Sequence, residues 1–221
     1  MKEKLDEQTM ALRVAREFRD GMVINLGYGI PSLAANHIPE GIEVIFHAEN
    51  GCLGYGPTPT TEEERDFHLV NATGQFVTRQ PGMCFFDHAE SFTMIRGRHI
   101  DLCVLGGMQV SEKGDLANWT FSLGRPGNIG GAMDLAFGAY NLIVVMTHLT
   151  KNNEPKILKE CTYPLTAPRC VNLIITNIAA IEVTPEGLLL KETIPGWSAE
   201  DVQAVTEPKL IISPDLKEME L

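Results

Sequence analysis

"MVINLGYGIPSLAANHIPEGIEVIF", residues 22–46, is the stretch from which the fold follows. Its first run, "MVINL", has the aliphatic and β-branched character of a buried strand, and the glycines of "GYGIP" then make a tight turn. Pro31 suits the first turn of a short helix that ends near Pro39 and Gly41. "EVIF" supplies a second strand, so the unit is βαβ, which closes with a right-handed crossover and parallel pairing.

The same alternation runs outward in both directions. Upstream, "TMALRVAREFRD" within residues 8–20 spaces Leu12, Ala15 and Phe18 at helical intervals, and Gly21 offers a stop. Downstream, Asp87 followed by Glu90 marks the start of a helix through "HAESFTMIRG", and "HIDLCVLGG" reads as a buried strand. "MQVSEKGDLANW" reads as a hairpin turning at Lys113 and Gly114, and "GRPGNIGGAMDLAFGA" as a glycine loop entering a helix, with the strand "NLIVVM" behind it. Further strands are expected at "VNLIIT", "AAIEVT" and "GLLLKE", then a helix from Ser198 and a closing strand with a polar tail in "EPKLIISPDLKEMEL". "PTPTTEEERDFH" reads as a surface excursion whose acidic run is a solvated face. No repeat, linker or low-complexity segment divides the chain. Residues 1–221 are therefore expected to form one α/β domain, with three layers around an open, mainly parallel sheet.

Composition narrows the partners. A chain of 221 residues with 44% hydrophobic content can bury a real core. Its formal charge of −11 argues against nucleic acid, whose binders need a basic face to release counterions. No apolar run approaches the ~20 residues of a membrane span, and "MKEKLDEQTM" lacks the basic-then-apolar order of a secretory signal. A cytoplasmic protein with no membrane partner is the expectation. The five cysteines show no paired short spacing, and no two of the six histidines stand at i, i+4. Neither a disulfide framework nor a metal site is expected.

Three glycine clusters follow strands: "NLGYGIP" with Gly27 and Gly29, "ENGCLGYGP" with Gly51, and "GNIGGAMDL" with Gly130 and Gly131. Any one of them is readily explained as a βα turn; together they point to a site where a ligand approaches bare backbone. The dinucleotide fingerprint fails because Ser32 stands where the third glycine should be, and neither a phosphate-binding Gly-Lys-Ser/Thr loop nor a GxSxG elbow is present. What remains is Glu49, one carboxylate among backbone amides at a strand's carboxyl end.

An ionised glutamate is a modest nucleophile and needs an activated acceptor such as an acyl thioester. Attack on an acyl-CoA would give a mixed anhydride and free thiolate, and the thiolate's return would leave CoA on the glutamate. A second carboxylic acid could then reverse the sequence. Each tetrahedral intermediate carries an oxyanion that N–H groups must receive, which accounts for the glycines. Burial would raise the Glu49 pKa and neighbouring amides would oppose the rise. Cys52 is the competing nucleophile, with a small loop residue as its bland alternative. His47 reads as structural, Asn50 as a loop anchor or a substrate contact, and Asn25 and Asn118 as pocket candidates. Trp119 fits either core or interface.

At these residues the sequence resembles the β chain of the two-subunit family I CoA-transferases of the 3-oxoacid, acetate/acetoacetate and butyrate/acetoacetate type. "NLGYGIP", "ENG" followed by "LGYGP", "FDHAESFTMIRG", "HIDLCVLGGMQV", "GDLANW", "GGAMDL" and "KILKECTYPLTA" match in order across nearly the whole chain. The resemblance implies the open sheet shared with sugar-phosphate isomerases. It implies Glu49 as the residue that becomes the glutamyl-CoA thioester, with Asn50, Gly51, Asn128, Gly130, Gly131, Gly27 and Gly29 around the CoA and acyl groups. It implies no resident cofactor, CoA and short-chain acids such as acetate, butyrate or acetoacetate as substrates, and an α chain as partner in an α2β2 heterotetramer.

There are departures from the family pattern. Ala48 replaces a serine before the glutamate, Asn128 a glycine, and Arg98 a glycine; "FSLGRPG" differs too, and its Arg125 could meet a substrate carboxylate or a CoA phosphate as readily as solvent. Asn128 is expected to tolerate a left-handed backbone. Two other functions share such a fold: a sugar-phosphate isomerase, which would favour a Lys or Asp base near the glycine loops, and a noncatalytic binder of CoA esters.

Overall fold

The computed structural model describes residues 2–121 and 127–221. Arg125 and most of the "FSLGRPG" segment lie outside the described residues. The chain starts with helix α1 (Glu7–Ala15), capped by the Asp6 carboxylate, which accepts the Thr9 amide at 2.8 Å. Strand β1 (Val23–Leu26) follows, then helix α2 (Ile30–Leu33) with Pro31 in its first turn and a 3₁₀ turn over Ala34–Asn36. Strand β2 (Ile45–Ala48) pairs with β1 in parallel, as the βαβ reading requires. It begins two residues later than "EVIF" and runs on to Ala48, because Ala48 must pair with Cys52 in the antiparallel strand β3 (Cys52–Leu53).

β3 in turn pairs with β4 (Cys84–Phe85), so two short strands absent from the sequence reading close the base of the 54–83 excursion. Helix α3 (His88–Arg96) starts where Asp87 accepts the Glu90 amide at 2.8 Å. Arg98, just past its end, has φ +60, which explains why glycine is usual there; a side chain in that region costs roughly 1–2 kcal/mol. Next come β5 (Leu102–Gly106) and the hairpin β6 (Gln109–Ser111) and β7 (Leu116–Ala117), turning through Gly114 at φ +80. Helix α4 (Ala132–Gly138) leads into β8 (Asn141–Met146), and β9 (Ile157–Leu158) joins the hairpin as a small separate sheet. The chain closes with β10 (Leu173–Thr176), β11 (Ala179–Thr184), β12 (Gly187–Thr193), α5 (Ala199–Ala204) and β13 (Leu210–Glu218). Ser198 caps α5 in a reciprocal box with Asp201. β13 takes up most of the expected polar tail and carries Pro214, which an edge strand with a shifted register accommodates.

The main sheet has ten strands in the order β13-β12-β11-β10-β8-β5-β1-β2-β3-β4. Its centre, β10-β8-β5-β1-β2, is parallel, and antiparallel pairs flank it on both sides. Ile24, Val104, Val144 and Ile174 are fully buried in this centre, each contributing about 1.5–3 kcal/mol relative to exposure. From β1 the chain moves to β2 on one side and then to β5 on the other, so right-handed crossovers put α2 on one face and α3 and α4 on the other. α1 packs on α2, and α3 on α4. The reversal between β1 and β5 opens a crevice at their carboxyl ends, the place where open α/β sheets receive ligands.

α1 is tied to the sheet by a buried ion pair: Arg13 Nε donates to Glu192 Oε2 at 2.7 Å and Arg13 NH2 to Glu192 Oε1 at 3.1 Å. Both side chains are at most 10% exposed; Arg13 also donates to Glu17 at 2.7 Å, so losing Arg13 leaves Glu192 charged and without its partner, whereas Arg13 would keep Glu17. Arg13→Met is expected to cost about 3–5 kcal/mol in urea denaturation, and the double variant Arg13→Met, Glu192→Leu to recover most of that. A double variant as unstable as the single one would show that shape rather than charge holds α1.

Candidate active site

Glu49 opens the three-residue turn that joins β2 to β3. The turn is tight because Gly51 has φ +116 and packs so close to the Phe86 carbonyl that a Cβ would collide with it. Phe86 N–H donates to the Gly51 carbonyl at 3.0 Å, which locks the turn against the start of α3. Asn50 points away, its Nδ2 donating to the Val70 carbonyl at 2.9 Å. The turn therefore has one free functional group, the Glu49 carboxylate.

That carboxylate faces the loop before α4. The Gly131 N–H donates to it, and a Cβ on Gly131 would collide with Oε2; one on Gly130, at φ +48, would stand 3.6 Å from Oε1. Asn128 holds this loop in place by accepting the Gly130 N–H on its side-chain oxygen at 3.2 Å. Asn128 is not among the residues with positive φ, so its tolerance of a left-handed backbone is not drawn on: Gly130 takes that conformation, and the asparagine contributes its oxygen.

Glu49 lines a cavity of about 480 Å³ at the crevice between β1 and β5. Asn25, Gly27 and Tyr28 come from the end of β1, Leu105 to Met108 from the end of β5, and Asn128 to Ala132 from the α4 loop. Asn118 and Thr73 complete the wall. Glu49, Gly27, Asn128, Gly130 and Gly131 are thus gathered from distant parts of the chain, while Gly29, Asn50 and Gly51 lie outside the cavity and shape its loops. Gly29 stands before α2 with φ +84. Gly106, Gly107, Met108 and Thr73 join the wall without having been singled out by the sequence reading. The doublet Gly106-Gly107 behind a buried strand is a usable signal, since it repeats the pattern of the other clusters; Thr73 carries none.

Burial raises the Glu49 pKa above the ordinary carboxylate value; the Gly131 N–H and the charge of His88 oppose the rise, and Asp134 adds to it. Cys52 is buried, which pushes its thiol up to about 11 and leaves it protonated at neutral pH. His47 is fully packed below the turn. Its Nδ1 accepts from Asn25 Nδ2 at 3.0 Å, which leaves the proton on Nε2 to donate to Ser91 Oγ at 3.0 Å. Burial lowers its pKa to about 4, so it ties β2 to β1 and α3 as a neutral ring. Trp119 donates from Nε1 to the Leu165 carbonyl at 3.2 Å. Among the described residues no cluster of His, Cys, Asp and Glu could hold a metal ion, and no helix is long and apolar enough to cross a membrane.

The coenzyme A transferase family profile matches residues 7–204. The B subunit of 3-oxoadipate CoA-transferase from Acinetobacter baylyi is 46% identical over 211 residues, which is 94% of this chain and 96% of that protein. The mitochondrial succinyl-CoA:3-ketoacid coenzyme A transferase 2B of Mus musculus is 50% identical over 210 residues, 94% of this chain but 40% of that longer protein. Among solved structures, the apoenzyme of the acyl-CoA transferase YdiF from Escherichia coli O157:H7 superposes with a TM-score of 0.76 at 23% identity, over 99% of this chain and 45% of that one. The last likeness concerns the fold.

A carboxylate whose folded pKa lies above its unfolded one favours the folded state only while protonated, and that contribution is lost as pH rises through the folded value. Ionised Glu49 is therefore destabilising at neutral pH. Glu49→Gln is expected to raise Tm at pH 8, with the gain shrinking as pH falls through the carboxylate range. A variant no more stable than the parent at pH 8 would contradict this account of the site.

Proposed function

This chain belongs to the coenzyme A transferase family as a β chain, and on that premise we propose that Glu49 carries CoA covalently between a donor thioester and an acceptor acid. Glu49 attacks the acyl carbonyl carbon, the C–S bond breaks, and a mixed anhydride forms with release of CoA thiolate. The thiolate attacks the glutamyl carbonyl and the donor acid leaves as its carboxylate. The glutamyl-CoA thioester then meets the acceptor carboxylate, and the two steps run in reverse. No oxidant, metal or ATP enters the balance.

The observation that carries this reading is the contact between Glu49 and Gly131. An amide that touches the ground-state carboxylate is already placed for the oxyanion on the same carbon, where one such donor contributes about 3 kcal/mol. Among the described residues the cavity is lined by no Lys or Asp, the base that a sugar-phosphate isomerase would favour, and this supports the transfer reading. A protonated Cys52 is a poor rival nucleophile.

The acceptor we propose is a 3-oxo acid, since the relatives above are named for 3-oxoadipate and for 3-ketoacids. Acetate and butyrate have no such support. The α chain would close the open side of the cavity, where Tyr28 stands almost fully exposed, and so keep water from the anhydride. An α2β2 assembly in the cytoplasm suits a chain whose cysteines are all free.

Incubating the αβ complex with acyl-CoA in the absence of acceptor is expected to add the mass of CoA minus water to the peptide bearing Glu49. An adduct on the Cys52 side chain would refute the assignment. Glu49→Gln is expected to abolish exchange, and Glu49→Asp to lower kcat at least about 100-fold, because the shorter acid misplaces its oxygen by about 1 Å.

A further inference from the structure

The Glu49 cavity has a neighbour that the transfer reaction leaves unused. A second cavity, of about 470 Å³, meets the first at Gly107 and Met108, which line both. It lies off the carboxyl ends of β8 and β10, and its wall includes Lys4, Lys151 and Lys156. No Asp or Glu lines it among the described residues, although the chain carries a net charge of −11. Phe121 and Tyr163, in edge-to-face contact at 5.3 Å, give it an apolar side.

Lys156 differs from the other two cations. Lys4 and Lys151 are exposed, whereas Lys156 is half-buried and donates only a long bond, 3.4 Å, to the Thr147 hydroxyl. Among the described residues no carboxylate pairs with it. Burial lowers its pKa to about 8. An ammonium held partly out of water without a counter-ion is unfavourable, and a bound anion removes that penalty.

The spacing limits which anion. β2 and β8 are separated by β1 and β5, so their ends lie about 14 Å apart at the usual interstrand distance. Glu49 follows the end of β2, and Lys156, just before β9, is held beside the end of β8 by its N–H donating to the His148 carbonyl and its ammonium to the Thr147 hydroxyl; the two cavities they line share a wall, and Gly107 has no side chain to close it. The gap suits a short diacyl chain and falls short of the pantetheine arm that separates the CoA sulfur from its phosphates.

We propose that Lys156 binds the distal carboxylate of a dicarboxylic acyl substrate whose near end reacts at Glu49. This rests on the Glu49 reading and specifies its substrate class. Lys156 then acts as a specificity residue, with Phe121 and Tyr163 against the methylene chain.

The test uses the αβ complex with Lys156→Met and Lys156→Arg. For Lys156→Met, KM for a dicarboxylic 3-oxo acid is expected to rise about ten- to a hundredfold, with kcat changing far less, as befits one lost charged hydrogen bond. KM for the monocarboxylic counterpart should not follow it, and Lys156→Arg should restore most of the discrimination. An equal rise for both acids would overturn the proposal. So would a rise seen with the CoA thioester but not with the thioester lacking the 3′-phosphate, which would assign the lysine to CoA. Adduct formation from a monocarboxylic acyl-CoA is read in parallel: adduct in both proteins with no change in diacid KM overturns this proposal alone, while no adduct in the parent removes it together with the Glu49 reading.

Discussion

The approach of the α4 loop to the end of β2 is so close that position 131 has no room for a side chain beside the Glu49 carboxylate. Much of the surrounding architecture serves that contact. The turn that presents Glu49 is pinned from below by Gly51 against the Phe86 carbonyl, and Phe86 leads directly into α3. His47, one residue before Ala48, is bonded on both ring nitrogens, which joins β2 to β1 and α3. On the other side, Asn128 and the positive φ of Gly130 set the angle at which the loop enters α4. Backbone contacts of this kind leave few alternative geometries, and so the carboxylate is held ready before substrate arrives.

A second theme is where the protein tolerates charge. Among the described residues every buried side-chain polar atom has a partner, and the deepest ion pair, Arg13 with Glu192, is satisfied by two hydrogen bonds. Glu49 and Lys156 depart from this pattern. Each is partly withdrawn from water, its pKa is displaced toward the neutral form by burial, and neither has an ion-pair partner among the described residues. They stand on cavities that share the Gly107–Met108 wall. Stability sacrificed at two positions beside the carboxyl ends of the central strands is the usual mark of groups kept for ligands.

The departures from the family pattern sort by physical cause. Arg98 carries backbone strain at a position that glycine would occupy freely. Asn128 replaces a glycine without strain, because its side-chain oxygen takes up the Gly130 amide. Ala48 is buried and paired with Cys52, so the turn keeps its register without the serine hydroxyl.

The sequence alone determined the βαβ alternation, because strand and helix periodicities and glycine stops are local properties of "MVINLGYGIPSLAANHIPEGIEVIF" and its counterparts downstream. It also singled out Glu49, since a carboxylate following a strand in a glycine-rich turn stands out by residue type. Periodicity could not reveal β3 and β4, which are two residues each and exist only because β3 pairs with β2 on one side and with β4, across the 54–83 excursion, on the other. Nor could it separate Gly131, which touches the carboxylate, from Gly51 and Gly29, which only bend the chain. That distinction depends on contacts between segments some eighty residues apart, and so did the meeting of Gly107 with both cavities. Strand order brought those segments together, and strand order is a property of the packed sheet rather than of any local run of residues.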